Sequence, residues 1–344
     1  MGSRYRIYVH GLKVEKILLL GCGTWGSTLA QCLAEKGRSV VVWHYKSDFV
    51  KKIAASRAHP RLGDFIFHNN IQFESNLESC LKNTNCIIVA VPSHAVREII
   101  SKAAGYIPND AIIVNVAKGI ENGTLETMST VIAGSSKQNP EKIVSLYGPS
   151  HAEEVIAKHP TTLVSASISR ESAKYVQKTF SSEVLRVYTN NDIRGVELGG
   201  SLKNVIAIAA GICDGIGFGD NTKAALLTRG IAEITRLGVA MGADPVTFSG
   251  LSGIGDLIVT CLSRHSRNRY VGEAIGKGRK LSSVLNEMDM VAEGVKTTQS
   301  AYDLSQKHGV EIPISEGVYQ ILFNGKDPKK VVTALMTRDL THEH

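Results

Sequence analysis

Residues 16–43 restrict the folds open to this chain more than any other segment. A short apolar run, Lys16-Ile-Leu-Leu-Leu20, leads directly into Gly21-Cys22-Gly23-Thr24-Trp25-Gly26. An amphipathic segment over 25–36 follows and stops at Gly37, and a second apolar run, Ser39-Val-Val-Val-Trp43, comes next. Strand, G-x-G-x-x-G, helix and strand in this order make a unit of roughly 30 residues in which each glycine has a task. Gly21 permits the tight turn off the strand, Gly23 lets backbone approach a pyrophosphate, and Gly26 lets helix lie close on strand. The helix N-terminus then aims unbonded N–H groups and a partial positive charge at the same point. The unit predicts a dinucleotide site.

A carboxylate at the end of the second strand of such a unit holds the ribose 2′-hydroxyl of NAD. Here that end reads Trp43-His44-Tyr45-Lys46, and the first acid is Asp48. With no acid to repel a 2′-phosphate and Lys46 close by, NADP is the preferred expectation over NAD; the alternative is that these residues only cap a strand. Strand-like runs continue at 86–90, 111–115 and 143–147, separated by helical patterns. Near-continuous apolar strands alternating with helices predict a doubly wound parallel sheet. Ligands of such sheets bind outside the carboxyl ends of the strands. Lys118, in Ala117-Lys118-Gly119-Ile120-Glu121, is therefore placed to reach an anion or a carbonyl, unless it is a solvated loop lysine. Gly148-Pro149-Ser150-His151-Ala152-Glu153 follows another strand, with Ser150 and Glu153 at capping-box spacing.

From about Asp192 the strands stop, and helical patterns run through 192–213, 221–241, 296–308 and 314–322. The expected organisation is an N-terminal extension over 1–15, a dinucleotide-binding domain over 16–190 and a helical substrate-binding domain over 191–340. Between Glu197 and Asp214 the only side chain that carries a full charge at neutral pH is Lys203, in Glu197-Leu-Gly-Gly-Ser-Leu-Lys203-Asn204. Burial disfavours an ammonium and lowers its pKa toward the range of general acid–base work. A lysine snorkelling from a domain edge fits the same pattern. Asp256 and Thr260, four residues apart, share a face if helical. Ser263-Arg264-His265-Ser266-Arg267-Asn268-Arg269 gathers donors suited to phosphate, with a solvated basic loop as the alternative.

Composition narrows the function classes. The chain has 344 residues, 43% hydrophobic and 21% charged, with a net charge of +7, which suits a globular protein that draws in anionic ligands. The basic residues are scattered and not interleaved with aromatics, which argues against nucleic acid. Six cysteines form no C-x-x-C pair and no zinc spacing, so no metal site is expected, and reduced thiols of a cytoplasmic protein are. The chain is read as having no 18-residue apolar stretch, so no membrane span is expected.

Taken in order, Gly-Cys-Gly-Thr-Trp-Gly (21–26), Val-Pro-Ser-His (91–94), Lys-Gly-Ile-Glu (118–121), Gly-Pro-Ser (148–150), Glu-Leu-Gly-Gly-Ser-Leu-Lys-Asn-Val (197–205), Gly-Phe-Gly-Asp-Asn-Thr-Lys (217–223), Gly-Ile-Gly-Asp-Leu (253–257) and Ser-Arg-Asn (266–268) resemble the soluble NAD(P)-dependent glycerol-3-phosphate dehydrogenases, the bacterial form above all. The match begins at Lys16 and covers nearly all that follows. It implies an α/β Rossmann-type doubly wound sheet followed by an all-α C-terminal domain. It also implies hydride exchange between NAD(P)H and dihydroxyacetone phosphate, giving sn-glycerol 3-phosphate for glycerophospholipid synthesis in a cytoplasmic homodimer.

On the same resemblance Lys203 is the proton-transfer residue and Lys118 its partner, touching substrate and cofactor. Gly148, Ser150, Asn204, Asp256, Ser266, Arg267 and Asn268 would hold substrate. Thr24, Trp25, Tyr45, Ala152, Arg267, Val291 and Glu293 would meet the cofactor beside Gly21, Gly23 and Gly26. Two departures stand out. Cys22 replaces the family's usual alanine, and His59-Pro-Arg-Leu-Gly-Asp64 lacks its aromatic-Leu-Pro motif. Two other readings are a related hydroxyacid dehydrogenase acting on a carboxylate and a catalytically silent nucleotide sensor.

Overall fold

The structure is a computed structural model that describes residues 15–340 and 342; all but the last residue of the expected extension over 1–15 lies outside the described residues. Its first half alternates β1 (Lys16–Leu20), α1 (Thr24–Glu35), β2 (Ser39–Trp43), α2 (Ser47–Ser56), β3 (Ile71–Glu74), α3 (Leu77–Leu81), β4 (Cys86–Val89), α4 (Val96–Ala103), β5 (Ile112–Asn115), α5 (Met128–Ser136), β6 (Ile143–Tyr147), α6 (Ala152–Ile156), β7 (Thr161–Ala166), α7 (Arg170–Phe180) and β8 (Leu185–Asn190). The sheet order is β3-β2-β1-β4-β5-β6-β7-β8. The strands are parallel except that β7 runs antiparallel to β6, so the fully parallel sheet expected from the sequence is corrected at one pair. The link between them carries only the five-residue α6, too little helix for a parallel crossover. Separate apolar clusters cover the two faces, one around Leu19, Leu33 and Ile88, the other around Leu18, Ile87 and Ile113.

The second half is helical: α8 (Ile193–Ile216), α9 (Asp220–Ala240), α10 (Pro245–Phe248), a π-type turn over Leu251–Gly255, α11 (Asp256–Leu262), α12 (Arg267–Gly276), α13 (Leu281–Glu287), α14 (Glu293–His308), α15 (Pro313–Asn324) and α16 (Pro328–Met336). The axis of this half is α8. Asp192 caps its start by accepting from Gly195 N at 2.8 Å, and Gly217 ends it at φ 92°. Its apolar residues are buried all round, as expected of a helix without a polar stripe.

Glycine faces let α12 lie directly on α8. A β-carbon at Gly211 would strike the Arg269 carbonyl, and one at Gly272 would strike the Ile208 carbonyl. Gly215 and Gly276, one turn along their helices, repeat the contact. Two stretches, 193–216 and 245–262, are long and apolar enough to cross a membrane, which corrects the reading that no such stretch exists. The first is wholly buried inside the protein as α8, and the second is broken by the π-type turn.

Candidate active site

A cleft of 370 Å³ opens where the carboxyl ends of β1, β4 and β5 meet the helices α8, α11 and α12. The turn after β1 forms one wall. Gly21 sits at φ 104°, and a β-carbon there would lie 2.8 Å from the Ala90 carbonyl oxygen. One at Gly26 would lie 2.8 Å from the Ala90 β-carbon, so α1 can approach the sheet only with glycine there. A β-carbon at Gly23, by contrast, would meet nothing within 4 Å. Gly23 is the N-cap of α1 and no side chain caps the helix. Open space in front of uncapped N–H groups fits a dinucleotide pyrophosphate.

The opposite wall holds two lysines on one carboxylate. Lys203, on α8 and only 5% exposed, donates from Nζ to Asp256 Oδ1 at 2.6 Å. Lys118, just beyond β5, donates to Asp256 Oδ2 at 2.5 Å and to the Gly148 carbonyl at 3.1 Å. Lys203 also donates to Thr260 Oγ1, one turn along α11 from Asp256, and that hydroxyl donates to the Asp256 carbonyl at 2.6 Å. Burial lowers the Lys203 pKa to about 8; Asp256 opposes the shift and the Lys118 charge adds to it. Lys203 is thus neither snorkelling nor unpaired.

Beside these, Asn268 Nδ2 donates to Asn204 Oδ1 at 2.9 Å, and Gly294 N donates to Asn268 Oδ1 at 2.9 Å. Ser266 caps α12 through the Arg269 N–H, and Arg267 reaches the Val291 carbonyl at 2.7 Å. Glu293, opening α14, accepts from Ser93 N at 2.9 Å and Ser93 Oγ at 2.6 Å, joining the sheet to the helices.

The structure therefore brings Gly23, Thr24, Trp25, Gly26, Lys118, Ser150, Lys203, Asn204, Asp256, Ser266, Arg267, Asn268, Val291 and Glu293 to one cleft. Gly21, Tyr45, Gly148 and Ala152 stand outside its lining. Gly21 and Gly148 support it from behind, and Tyr45 is 67% exposed beyond β2, stacked on His44 with ring centroids 4.8 Å apart. Two local readings need correction. Ser150 Oγ donates to the Gly148 carbonyl instead of closing a capping box; His151 is the N-cap of α6, without a side-chain bond. Of the three arginines over 264–269 only Arg267 faces the cleft, because Arg269 pairs with Asp214 at 2.7 Å.

Sequence reasoning gave no role to Glu197, Asn115, His151 or Arg61. Glu197 is fully buried and accepts from Ser129 N at 2.9 Å, Ser129 Oγ at 2.6 Å, Ser145 Oγ at 2.7 Å and Asn115 Nδ2 at 3.1 Å. It ties α8 to the ends of β5 and β6, and so ties the element of Lys203 to that of Lys118. A carboxylate at the head of the Lys203 motif was the available signal. His151 lines the cleft with Nε2 buried and unbonded, and burial lowers its pKa.

A Rossmann-type sheet with a glycine turn, facing a buried lysine–carboxylate pair across one cleft, defines a dinucleotide-dependent oxidoreductase. Sequence models of the NAD-dependent glycerol-3-phosphate dehydrogenase N-terminus and C-terminus match residues 16–173 and 192–333. A glycerol-3-phosphate dehydrogenase [NAD(P)+] of Prosthecochloris aestuarii is 51% identical over 325 residues, spanning 94% of this chain and 98% of that one. One from Thermoanaerobacter sp. is 50% identical over 328 residues, spanning 95% and 98%. The crystal structure of glycerol-3-phosphate dehydrogenase from Coxiella burnetii superposes with a TM-score of 0.90 at 36% identity, covering 94% of this chain and 99% of that one. The chain belongs to the NAD-dependent glycerol-3-phosphate dehydrogenase family.

Proposed function

We propose that this chain interconverts dihydroxyacetone phosphate and sn-glycerol 3-phosphate with NAD(P)H, using Lys203 as the proton-transfer residue. The observation that carries the reading is the Lys203–Asp256–Lys118 arrangement on the wall facing the glycine turn. Bound nicotinamide dinucleotide supplies or accepts the hydride. Gly23 and Gly26 with Thr24 and Trp25 would hold its phosphate half on the turn that Gly21 shapes, and Lys118, Arg267, Val291 and Glu293 would border the rest, with Ala152 outside the cleft lining.

The chain supplies the charge and the proton. Charge that builds on the C2 oxygen during reduction is stabilised by the Lys203 ammonium, which then gives that oxygen its proton. Asp256 keeps the lysine charged inside a buried site, and Thr260 Oγ1 fixes the ammonium's direction. With a pKa of about 8, Lys203 is mostly an acid at neutral pH; in the oxidation direction its neutral amine takes the proton. Arg267, Asn268, Asn204 and Ser266 offer donors for phosphate, Ser150 borders the same pocket, and the Gly148 carbonyl, outside its lining, holds Lys118.

NADP preference is supported by Lys46 Nζ, 5.5 Å from the Tyr45 ring centre at the end of β2, and by the lack of an acid in Trp43-His44-Tyr45-Lys46. Asp48 turns instead toward solvent in the first turn of α2. We assign the product to glycerophospholipid synthesis and the protein to the cytoplasm as a homodimer. The six unpaired, buried cysteines support a reducing compartment. The 16–190 and 191–340 domain division is supported by the change from sheet to helices after β8.

The test compares NADPH and NADH oxidation with dihydroxyacetone phosphate and with 2-oxo acids of similar size. Turnover of the phosphorylated ketone, faster with NADPH, is expected. Turnover of 2-oxo acids alone would overturn the assignment in favour of a carboxylate substrate.

A further inference from the structure

The loop between α2 and β3 reaches across to the glycine turn and is pinned there by a buried histidine. His59, 3% exposed, accepts from Arg61 N at Nδ1 (3.1 Å). Nε2 therefore carries the ring proton, and it lies 3.3 Å from the carbonyl oxygen of Cys22, between Gly21 and Gly23. The loop is closed on itself by a bridge between Ala58 and Ile66 and by Phe67 N donating to the Arg57 carbonyl at 2.7 Å. The result places Arg61 on the cleft wall beside Gly23, Thr24 and Trp25.

The Arg61 guanidinium has no hydrogen bond or ion pair with the described residues. Across the same cleft stands Arg267, close enough for the Arg61 charge to bear on it. Burial lowers the Arg267 pKa first, Glu293 and Glu153 oppose the shift, and Arg61 adds to it. Arg61 thus stands on the cleft wall with its guanidinium unpartnered among the described residues, and a second guanidinium, Arg267, faces the same cavity. A diphosphate offers several acceptor oxygens and at least two negative charges, which suit two guanidinium forks.

We propose that Arg61 binds the dinucleotide pyrophosphate, closing over the G-x-G-x-x-G turn from the α2–β3 loop and opposing Arg267 across the cleft. The proposal rests on the cofactor-site reading above. It names the pyrophosphate and not the ribose 2′-phosphate because His59 fastens the loop to Cys22, inside the glycine turn. The end of β2, where Tyr45 and Lys46 stand, is not part of the cleft that Arg61 lines.

Dissociation constants for NADPH and NADH, measured by nucleotide fluorescence on wild type, Arg61→Ala and Arg61→Lys, test this. Loss of a charge-assisted bond predicts both constants rising about tenfold or more in Arg61→Ala, and less in Arg61→Lys. The melting temperature without nucleotide should stay within about 1 °C of wild type, since the side chain touches no protein partner. Loss confined to NADPH would move Arg61 to the 2′-phosphate and overturn the proposal. Unchanged constants beside normal wild-type binding would overturn it alone, whereas wild type that binds neither dinucleotide would overturn the cofactor-site reading as well.

Discussion

Replacing Asp256 by asparagine separates the charge of the Lys203–Asp256–Lys118 arrangement from its shape. Neither lysine makes another ion pair among the described residues. Asparagine keeps the shape but offers an acceptor oxygen to only one ammonium, turns an amide NH2 toward the other, and leaves two positive charges facing each other in a buried site. Removing one partner of a buried pair costs about 3–5 kcal/mol, at ~1.4 kcal/mol per pKa unit. Even after relaxation and water entry, Lys203 should titrate ~2 units below its wild-type value of about 8. Reduction needs the ammonium, so kcat/KM in that direction is flat below the Lys203 pKa and falls above it. The falling limb should move from about pH 8 to lower pH by ~2 units, making the variant roughly 50-fold slower at pH 8 with a smaller deficit near pH 5.5. In the oxidation direction, which needs the neutral amine, the rising limb should move down with it. The assay is kcat/KM against pH in both directions, with the melting temperature as a fold control. A variant that loses rate at every pH while its limbs stay in place would refute the claim that Asp256 sets the charge of Lys203.

Two further predictions concern the frame that carries the site. Glu233, 2% exposed, accepts from Ile314 N at 2.6 Å and Ser315 N at 3.1 Å at the start of α15. Burial nevertheless raises its pKa from 4.5 to about 7. The folded state then binds the extra proton, so this stability is full below about pH 4.5 and is lost as pH rises through 7, by ~3 kcal/mol. Urea unfolding at pH 5 and pH 8 should show the loss in wild type and little of it in Glu233→Gln; equal pH slopes would contradict the assignment. In Gly272→Ala, the added carbon meets the Ile208 carbonyl of α8 and should cost about 3 kcal/mol. Because α12 carries Arg267 and Asn268, KM for the phosphorylated substrate should rise as well, and a wild-type melting temperature with wild-type KM would argue against this packing.

How much of this was legible in the sequence depended on whether a residue's task is local. The β1–α1 turn was readable because glycines at fixed spacing serve a single backbone conformation, and the structure gives each the predicted surroundings. Helices α9, α14 and α15 were readable from their apolar periodicity, and α8 from its long apolar run. Strands β3 and β8 were missed because they are the sheet edges. Their alternating apolar and polar residues, as in Leu185-Arg-Val-Tyr-Thr-Asn190, leave one face in water and break the continuous pattern of a buried strand. Interior β7 hides behind Thr161, Thr162 and Ser165.

At the site, Lys203 drew attention as a charge in an apolar helix, but its partner lies 53 positions away on α11, and no local pattern joins the two. The same distance in sequence hid the Ser93–Glu293 contact and the donors gathered around Glu197. Arg269 misled because charge spacing says nothing about Asp214, which draws it away from the cleft.

The most direct test of the account is NADPH oxidation with dihydroxyacetone phosphate by wild type and by Lys203→Ala, each shown to be folded and to bind nucleotide. General acid catalysis contributes roughly 10²–10⁴-fold, so the variant should lose at least about a hundredfold in kcat while its dissociation constant for NADPH changes little. Turnover that survives the substitution within a factor of a few would contradict the role given to Lys203 and, with it, the central claim about this cleft.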